Sequence, residues 1–469
     1  MNEKKTHFTV FILFSIISFS LLFFHELWRD ELHTLIVINE SNSFIDVFKN
    51  TRYDGHPLLW YYIVYAFKGA SLFSYQIVHW LISIFGIGVF YFYSRIDIKW
   101  KTLIIFGYFF TYEYNIIFRN YSLGILFLFL SVFAYEKKRF SWIVLSLSLA
   151  FQANFFSLLI GIFFWLYILI NHFKLKELRF YIYSTILFFG FLLYVVSALF
   201  LAKDHYIPNA DLHFNIGTLS DFFKTFGMAF INIPEINIHF WNSYFLNPTG
   251  QFIIGTISYF LVLAHLIKFK RTFLFFLITN LTIQLFFGVK YYGYLRHFGH
   301  LYIVFIITLW LNSIEYKKID YNFNTNKIVL FIFLTQIYAS IIAYYYDFNY
   351  KFSDSQTISS FIEKNNKKTL YYPDYAAAPI SFYTAQRVFC LDMNKSMSYM
   401  KMTKDRIDRY GYLHLVDNYH KNNHFLDDKY LITNELIPLD IQSKLKLKLI
   451  KSSEKCINID EQYYCYTNL

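Results

Sequence analysis

The sequence predicts a mainly α, polytopic membrane protein of about eleven transmembrane helices, with a small α/β domain after the last of them. Three observations carry that expectation. Hydrophobic residues make up 56% of the 469 positions and aromatics 23%, against 16% charged, a balance far from that of soluble chains. The apolar residues fall in blocks of spanning length, such as the uncharged run Phe8–Phe24. Lysines and arginines gather between the blocks, as they do in cytoplasmic loops. The net charge of +11 therefore reads as loop charge, and no nucleic-acid partner is expected.

Taken in order, the first block follows Lys4-Lys5, lacks a small-residue cleavage site and runs into Trp28-Arg29-Asp30-Glu31. It reads as a retained span over 8–27 rather than a cleaved signal. Further spans are expected over 73–93, 101–117, 119–135, 140–153, 154–170, 180–202, 251–268, 271–288, 298–314 and 327–346. The clusters Lys4-Lys5, Arg95–Lys101, Lys137–Arg139, Lys174–Arg179, Lys268–Arg271 and Lys317-Lys318 then share the cytoplasmic side, provided that Pro57–Phe67 does not cross. That stretch is too short to span. Its Trp60, Tyr61, Tyr62 and Tyr65 suit the headgroup region, so an interfacial helix is expected, with Pro57 in its first turn. Residues 1–346 form the membrane domain. The outer loop 28–72, the turn near Glu113–Asn120, the long loop 203–250, Lys290–His300 and the C-terminus all fall on the non-cytoplasmic face of a bacterial cytoplasmic membrane.

From Asp347 the character changes. Short alternating runs at Thr369–Tyr372, Arg387–Leu391, Lys429–Thr433 and Leu445–Ile450 read as strands, with helical stretches at Ser355–Glu363 and Lys404–Tyr410. Residues 347–469 are thus expected as one α/β domain. They hold no phosphate-binding glycine loop and no nucleophile motif, which points to docking or structure rather than chemistry. Cys390, Cys456 and Cys465 lack the spacing of a zinc site. Cys456 and Cys465 could close a short hairpin in an oxidising compartment.

Three groups of residues carry chemistry. Asp30 and Glu31 are adjacent carboxylates at a membrane exit, with His33 within one turn and Asp54 and His56 across the loop in Tyr53-Asp54-Gly55-His56-Pro57. Such a carboxylate can serve as a general base. Arg119, between two apolar blocks on the non-cytoplasmic side, runs against the charge rule; polar groups at such depth are costly, and a guanidinium suits bidentate phosphate binding. Glu113 is either its partner or a second acid. Arg296, His297 and His300 form another basic cluster. The two histidines share a helical face, where aromatic packing is favoured over a metal. Asp204, His205, Asp211 and His213 in the long loop read as solvated residues, and Gln152 and Asn154 as a tight turn. Cations that hold a phosphate, facing a carboxylate that activates an acceptor, suit an anionic, lipid-linked substrate.

Together, Asp30-Glu31, Gly55-His56-Pro57-Leu58-Leu59-Trp60-Tyr61, Arg119-Asn120-Tyr121-Ser122-Leu123-Gly124 and Arg296-His297-Phe298-Gly299-His300 resemble the membrane glycosyltransferases of the GT-C fold. The similar branch contains the protein O-mannosyltransferases and the aminoarabinose transferases of lipid A. The resemblance implies inverting transfer of a sugar from a polyprenyl-phosphate-linked donor to an envelope acceptor (glycan, lipid or protein), with Asp30 as base and Arg119 and Arg296 on the phosphate. Many relatives carry a lysine where this chain has His56, which is only partly charged at neutral pH. Some members use a divalent metal, which no residue pattern here specifies. A lipid-linked oligosaccharide polymerase or flippase is the alternative; it too would place arginines in outer loops but has no need of the Asp-Glu pair.

Overall fold

Hydropathy decides where the helices lie, and a computed structural model describes them over residues 3–172, 178–199, 201–205, 216–316, 326–365, 367–403, 412–421 and 429–468. Lys174–Glu177, Asp211, His213, Lys317-Lys318 and the expected helix Lys404–Tyr410 lie outside these residues. Among the described residues, seven helices are long and apolar enough to cross a membrane. They are α5 (Leu72–Tyr93), α9 (Phe155–His172), α10 (Leu178–Leu199), α12 (Pro248–Leu266), α13 (Lys270–Val289), α14 (Leu295–Glu315) and α15 (Lys327–Asn349). Three further apolar helices join them: α1 (Glu3–Leu21), apolar from Lys5 on, α7 (Tyr121–Glu136) and α8 (Phe140–Phe151). The chain is a polytopic α-helical membrane protein. Its central helix is α14, buried along most of its length.

The readings of 101–117 and 203–250 need correction. The stretch 101–117 is not one helix. It breaks into α6 (Ile98–Ile105) and a π-turn at Phe109–Glu113. At the break, Gly107 packs so closely on α15 that a Cβ would meet that of Gln336 at 3.0 Å. The π-turn turns Glu113 into the interior, an irregularity that often marks functional positions.

The long loop 203–250 contains a helix, α11 (Ile216–Phe230), packed against α12, α13 and α14. Phe222, Phe226 and Phe230 recur every four residues and are buried, as one helical face requires. Where α11 meets α12, Gly227 lies against Gly255, so the two backbones touch. The helix ends inside the bundle, where its last carbonyls would otherwise lack partners. Gln336 donates to the Ala229 carbonyl at 3.0 Å, Thr335 to Phe230 at 3.3 Å and Tyr244 to Ile231 at 2.7 Å.

Between α1 and α5 the chain forms three short helices, α2 (Arg29–Asn39), α3 (Phe44–Asn50) and α4 (Leu59–Tyr65). At 7 residues, α4 is too short to span. Its Trp60 and Tyr61 are buried in the protein rather than facing headgroups.

The C-terminal domain is a six-stranded sheet of order β3-β2-β1-β4-β6-β5. Its strands are β1 (Lys368–Tyr371), β2 (Val388–Cys390), β3 (Lys395–Met397), β4 (Lys429–Thr433), β5 (Leu447–Ser452) and β6 (Tyr464–Asn468). Strands β2, β1 and β4 are parallel; the others pair antiparallel. Strand alternation builds two cores. Tyr371, Ile432 and Cys465 face one, with α16 (Ser355–Asn365) and α17 (Asp374–Thr384); Leu370, Leu431 and Tyr466 face the other, with α18 (Tyr412–Lys421). All three cysteines are buried free thiols, so Cys456 and Cys465 close no hairpin. The domain sits on the outer-loop helices. Ala378 and Tyr399 share a small core with Ile36, Val37 and Tyr61, and Arg387 pairs with Glu40 at 3.3 Å.

Candidate active site

The site is assembled on the first turn of α2. There the Glu31 carboxylate accepts from the Trp28 amide at 3.0 Å, closing the helix start as capping carboxylates do. The same side chain accepts from the Phe118 amide and lies 3.3 Å from His25 Nε2. His25 Nδ1 in turn meets Asp347 at 2.8 Å. Both ring nitrogens face carboxylates, an arrangement that only the protonated, two-donor ring satisfies on both sides. Glu31 is fully buried and ties α2, the 114–120 turn and the end of α15 into one unit.

Asp30 faces the other way, with 24% of its side chain exposed. Arg296 donates to its Oδ2 at 3.2 Å, Arg119 lies 3.9 Å from the same oxygen, and Arg29 donates to Oδ1 at 3.4 Å. Arg119 also donates to the Asp30 main-chain carbonyl at 2.6 Å. Burial opposes ionisation of Asp30, but Arg119, Arg29 and Arg296 together hold it well below the usual carboxylate range. Arg296 is itself boxed by aromatic rings. Its guanidinium lies 5.4 Å from Trp28, 5.8 Å from Trp241 and 4.7 Å from Tyr294, within cation–π range. Its Nε is buried and makes no hydrogen bond.

Across the loop, Asp54 accepts from Tyr61 at 2.8 Å and pairs with His33 Nε2 at 3.0 Å. Burial works against both charges. The pairing nonetheless raises His33 and lowers Asp54 from their ordinary values. His56 feels Arg119, Asp54, His33 and Asp30. Burial, with Arg119 beside it, pushes its imidazole down to about 4, so it stands neutral at neutral pH.

Glu113 does not pair with Arg119. Its Oε2 accepts from Tyr108 at 2.6 Å and from Trp241 at 3.2 Å, while Oε1 is buried with no partner. It shares Trp241 with the Arg296 box. His297 Nδ1 accepts from the Tyr294 amide at 2.8 Å, closing the first turn of α14. His300 packs against Tyr114, Tyr121 and Phe156. Asp204 accepts from Tyr53 at 3.0 Å at the rim. Among the described residues, no three His, Cys, Asp or Glu side chains gather to hold a metal. Asp30 does not fit a cation either, since three guanidiniums already crowd it.

The structure thus brings Asp30, Arg119, Arg296, Asp54 and His56 to one place, with Glu113 and His297 in its wall. Sequence reasoning missed the ring box around Arg296, for which a lone Trp241 in a polar loop was the one available signal. It also missed the C-terminal domain's share. Tyr399 packs its ring edge-on to His33 at 5.4 Å, Lys401 sits over Tyr53 at 5.0 Å, and Tyr375 lies 5.1 Å from Arg29. No local pattern announces contacts between residues so far apart in the chain.

The chain matches no protein-family model and no curated protein. It does match solved structures. ArnT from Cupriavidus metallidurans in the apo state superposes with a TM-score of 0.55 over 98% of each chain at 10% identity. ArnT from the same organism bound to undecaprenyl phosphate gives 0.50 at 11% identity, over 98% of this chain and 97% of that one. The chain has the GT-C fold. The likeness runs through both the helical bundle and the α/β domain, so the two parts belong to one architecture.

Proposed function

We propose that the protein transfers a sugar from a polyprenyl-phosphate-linked donor to an envelope acceptor, at the non-cytoplasmic face of a bacterial cytoplasmic membrane. One observation carries the reading. In a fold shared with a protein solved with undecaprenyl phosphate, two guanidiniums, one from the turn before α7 and one from the first turn of α14, converge on one partly open carboxylate. Arg119 and Arg296 suit a phosphate, and Asp30 suits the acceptor. In the reaction, the acceptor oxygen forms a bond to the anomeric carbon while the bond from that carbon to the phosphate oxygen breaks. The electron pair leaves with the phosphate, which the guanidiniums stabilise. Asp30 takes the acceptor proton, and attack opposite the leaving group inverts the sugar.

The donor also prepares the base. Arg119 and Arg296 rest on Asp30, and a phosphate competes for both. Its arrival removes part of the charge that depresses Asp30, leaving Arg29 in place, and raises the carboxylate's proton affinity when the acceptor needs it. Glu31, with its oxygens engaged by Trp28, Phe118 and His25, acts as a positioning residue. Neutral His56 offers a hydrogen bond rather than a charge.

Reconstitution tests the activity. The purified protein, given a polyprenyl-phosphate monosaccharide and an envelope extract, is expected to add single sugars to an acceptor, read by mass spectrometry. Chain elongation, or movement of the lipid without transfer, would favour a polymerase or flippase instead.

A further inference from the structure

A second site lies at the far end of the molecule from Asp30. Helix α7 starts next to Arg119 and runs 16 residues, or about 24 Å, to Glu136. There the chain turns through Lys137-Lys138-Arg139 into α8. Between the two helices is a groove of about 450 Å³, within the range of ligand sites. Its walls are apolar, formed by Phe127, Leu130, Leu145 and Leu149. Lys137 and Arg139 stand at one end, and Trp142, 61% exposed, stands beside them.

The charges at that end are not spent. Of the acids nearby, Glu136 has its oxygens taken by Arg95 at 3.0 Å and the Trp310 indole at 3.2 Å, and Glu315 accepts from Tyr135. Lys137 reaches Glu136 only at 3.9 Å and keeps half of its side chain exposed. Lys138 and Arg139 are exposed as well. A tail-sized apolar groove that ends in three successive cations, with an interfacial tryptophan at its mouth, is complementary to one class of molecule. We propose that this groove binds an anionic phospholipid of the leaflet opposite the Asp30 site. An acyl chain lies between α7 and α8, and the phosphate-bearing headgroup sits on Lys137 and Arg139.

The mechanism is chain burial plus surface charge attraction, and the two can be separated. The full-length protein in detergent is offered equimolar phosphatidylglycerol and phosphatidylcholine, and the retained lipids are counted by native mass spectrometry. The wild type is expected to prefer phosphatidylglycerol by about tenfold or more, and the double variant Lys137→Gln, Arg139→Gln to lose that preference. Both positions are exposed, so folding is unaffected. A third protein, Leu145→Trp, narrows the groove and should retain less of either lipid. Equal retention of the two lipids by the wild type would overturn the proposal. So would a double variant that keeps the preference, or a Leu145→Trp protein that retains lipid undiminished.

Discussion

Asp30 and Glu31 are neighbours in the chain, and an α-helix sets them about 100° apart, so they meet different surroundings. Glu31 turns inward to amides and an imidazole. Asp30 turns to an opening and three guanidiniums. A carboxylate held this low is ionised at any working pH but has little affinity for a proton, which makes the resting state a weak base. If the donor phosphate draws Arg119 and Arg296 away, the apparent pKa of Asp30 rises in the donor complex. Activity requires ionised Asp30, so it falls as pH drops through that value. The acid limb of kcat/KM for the acceptor, measured at saturating donor, should therefore lie about one unit or more above that of kcat/KM for the donor. Coincident limbs would contradict donor-linked activation. The convergence of Asp30, Arg119 and Arg296 was legible because charge at a membrane boundary is costly and needs a reason. Which of the two acids faces the opening was not, since the direction of a side chain depends on where α2 begins.

At the scale of elements, long apolar blocks were legible for the same reason that they are stable: hydrocarbon tolerates little else. The helix α11 escaped because it is 15 residues long and carries Asp221 and Lys224, below the hydropathy of a span. Its place depends on two glycines. A Cβ on Gly255 would land on the main-chain carbonyl of Phe223, and backbone cannot yield as a side-chain tip can. Gly255→Ala should push α11 away from α12 and cost about 1–3 kcal/mol, seen as a lower melting temperature in detergent. An unchanged melting temperature would mean that the helices are not in contact there. The π-turn was equally silent in the sequence, because it follows from the close approach of α15 at Gly107 and not from any residue pattern.

At the scale of the whole molecule, the α/β domain completes the membrane domain. Glu461 of that domain accepts from the Arg29 amide at 3.3 Å, from Ser353 at 2.9 Å and from Tyr463 at 3.1 Å. Arg29 itself reaches Asp30. Burial drives Glu461 up to about 7 from 4.5 although Arg29, Ser353 and Tyr463 oppose it. A folded value above the unfolded one favours the native state fully below about pH 4.5, and that contribution is lost as pH rises through about 7. The span is on the order of 3 kcal/mol. Thermal unfolding should thus show the stability of the wild type falling relative to that of Glu461→Gln, which stays neutral, as pH rises from about 4.5 to about 7. A difference between the two proteins that does not change with pH would remove Glu461 from the junction's energetics. Strands β1, β2, β4 and β5 were legible from their alternation, whereas β3 and β6 were not read; the domain's seating on α2 was not legible either, because it depends on pairs such as Arg387 and Glu40 that lie hundreds of residues apart.

The central claim is that Asp30 performs the chemistry while its neighbour holds the frame, and one comparison addresses it. Asp30→Asn and Glu31→Gln are each reconstituted with a polyprenyl-phosphate monosaccharide, and transfer is measured per folded molecule recovered. The account predicts that Asp30→Asn accumulates normally and loses transfer by about 10² or more. Glu31→Gln should instead accumulate poorly, because it leaves buried His25 without one of its carboxylates, while the molecules that fold retain transfer. Full transfer by Asp30→Asn, from protein recovered in normal yield, would contradict it.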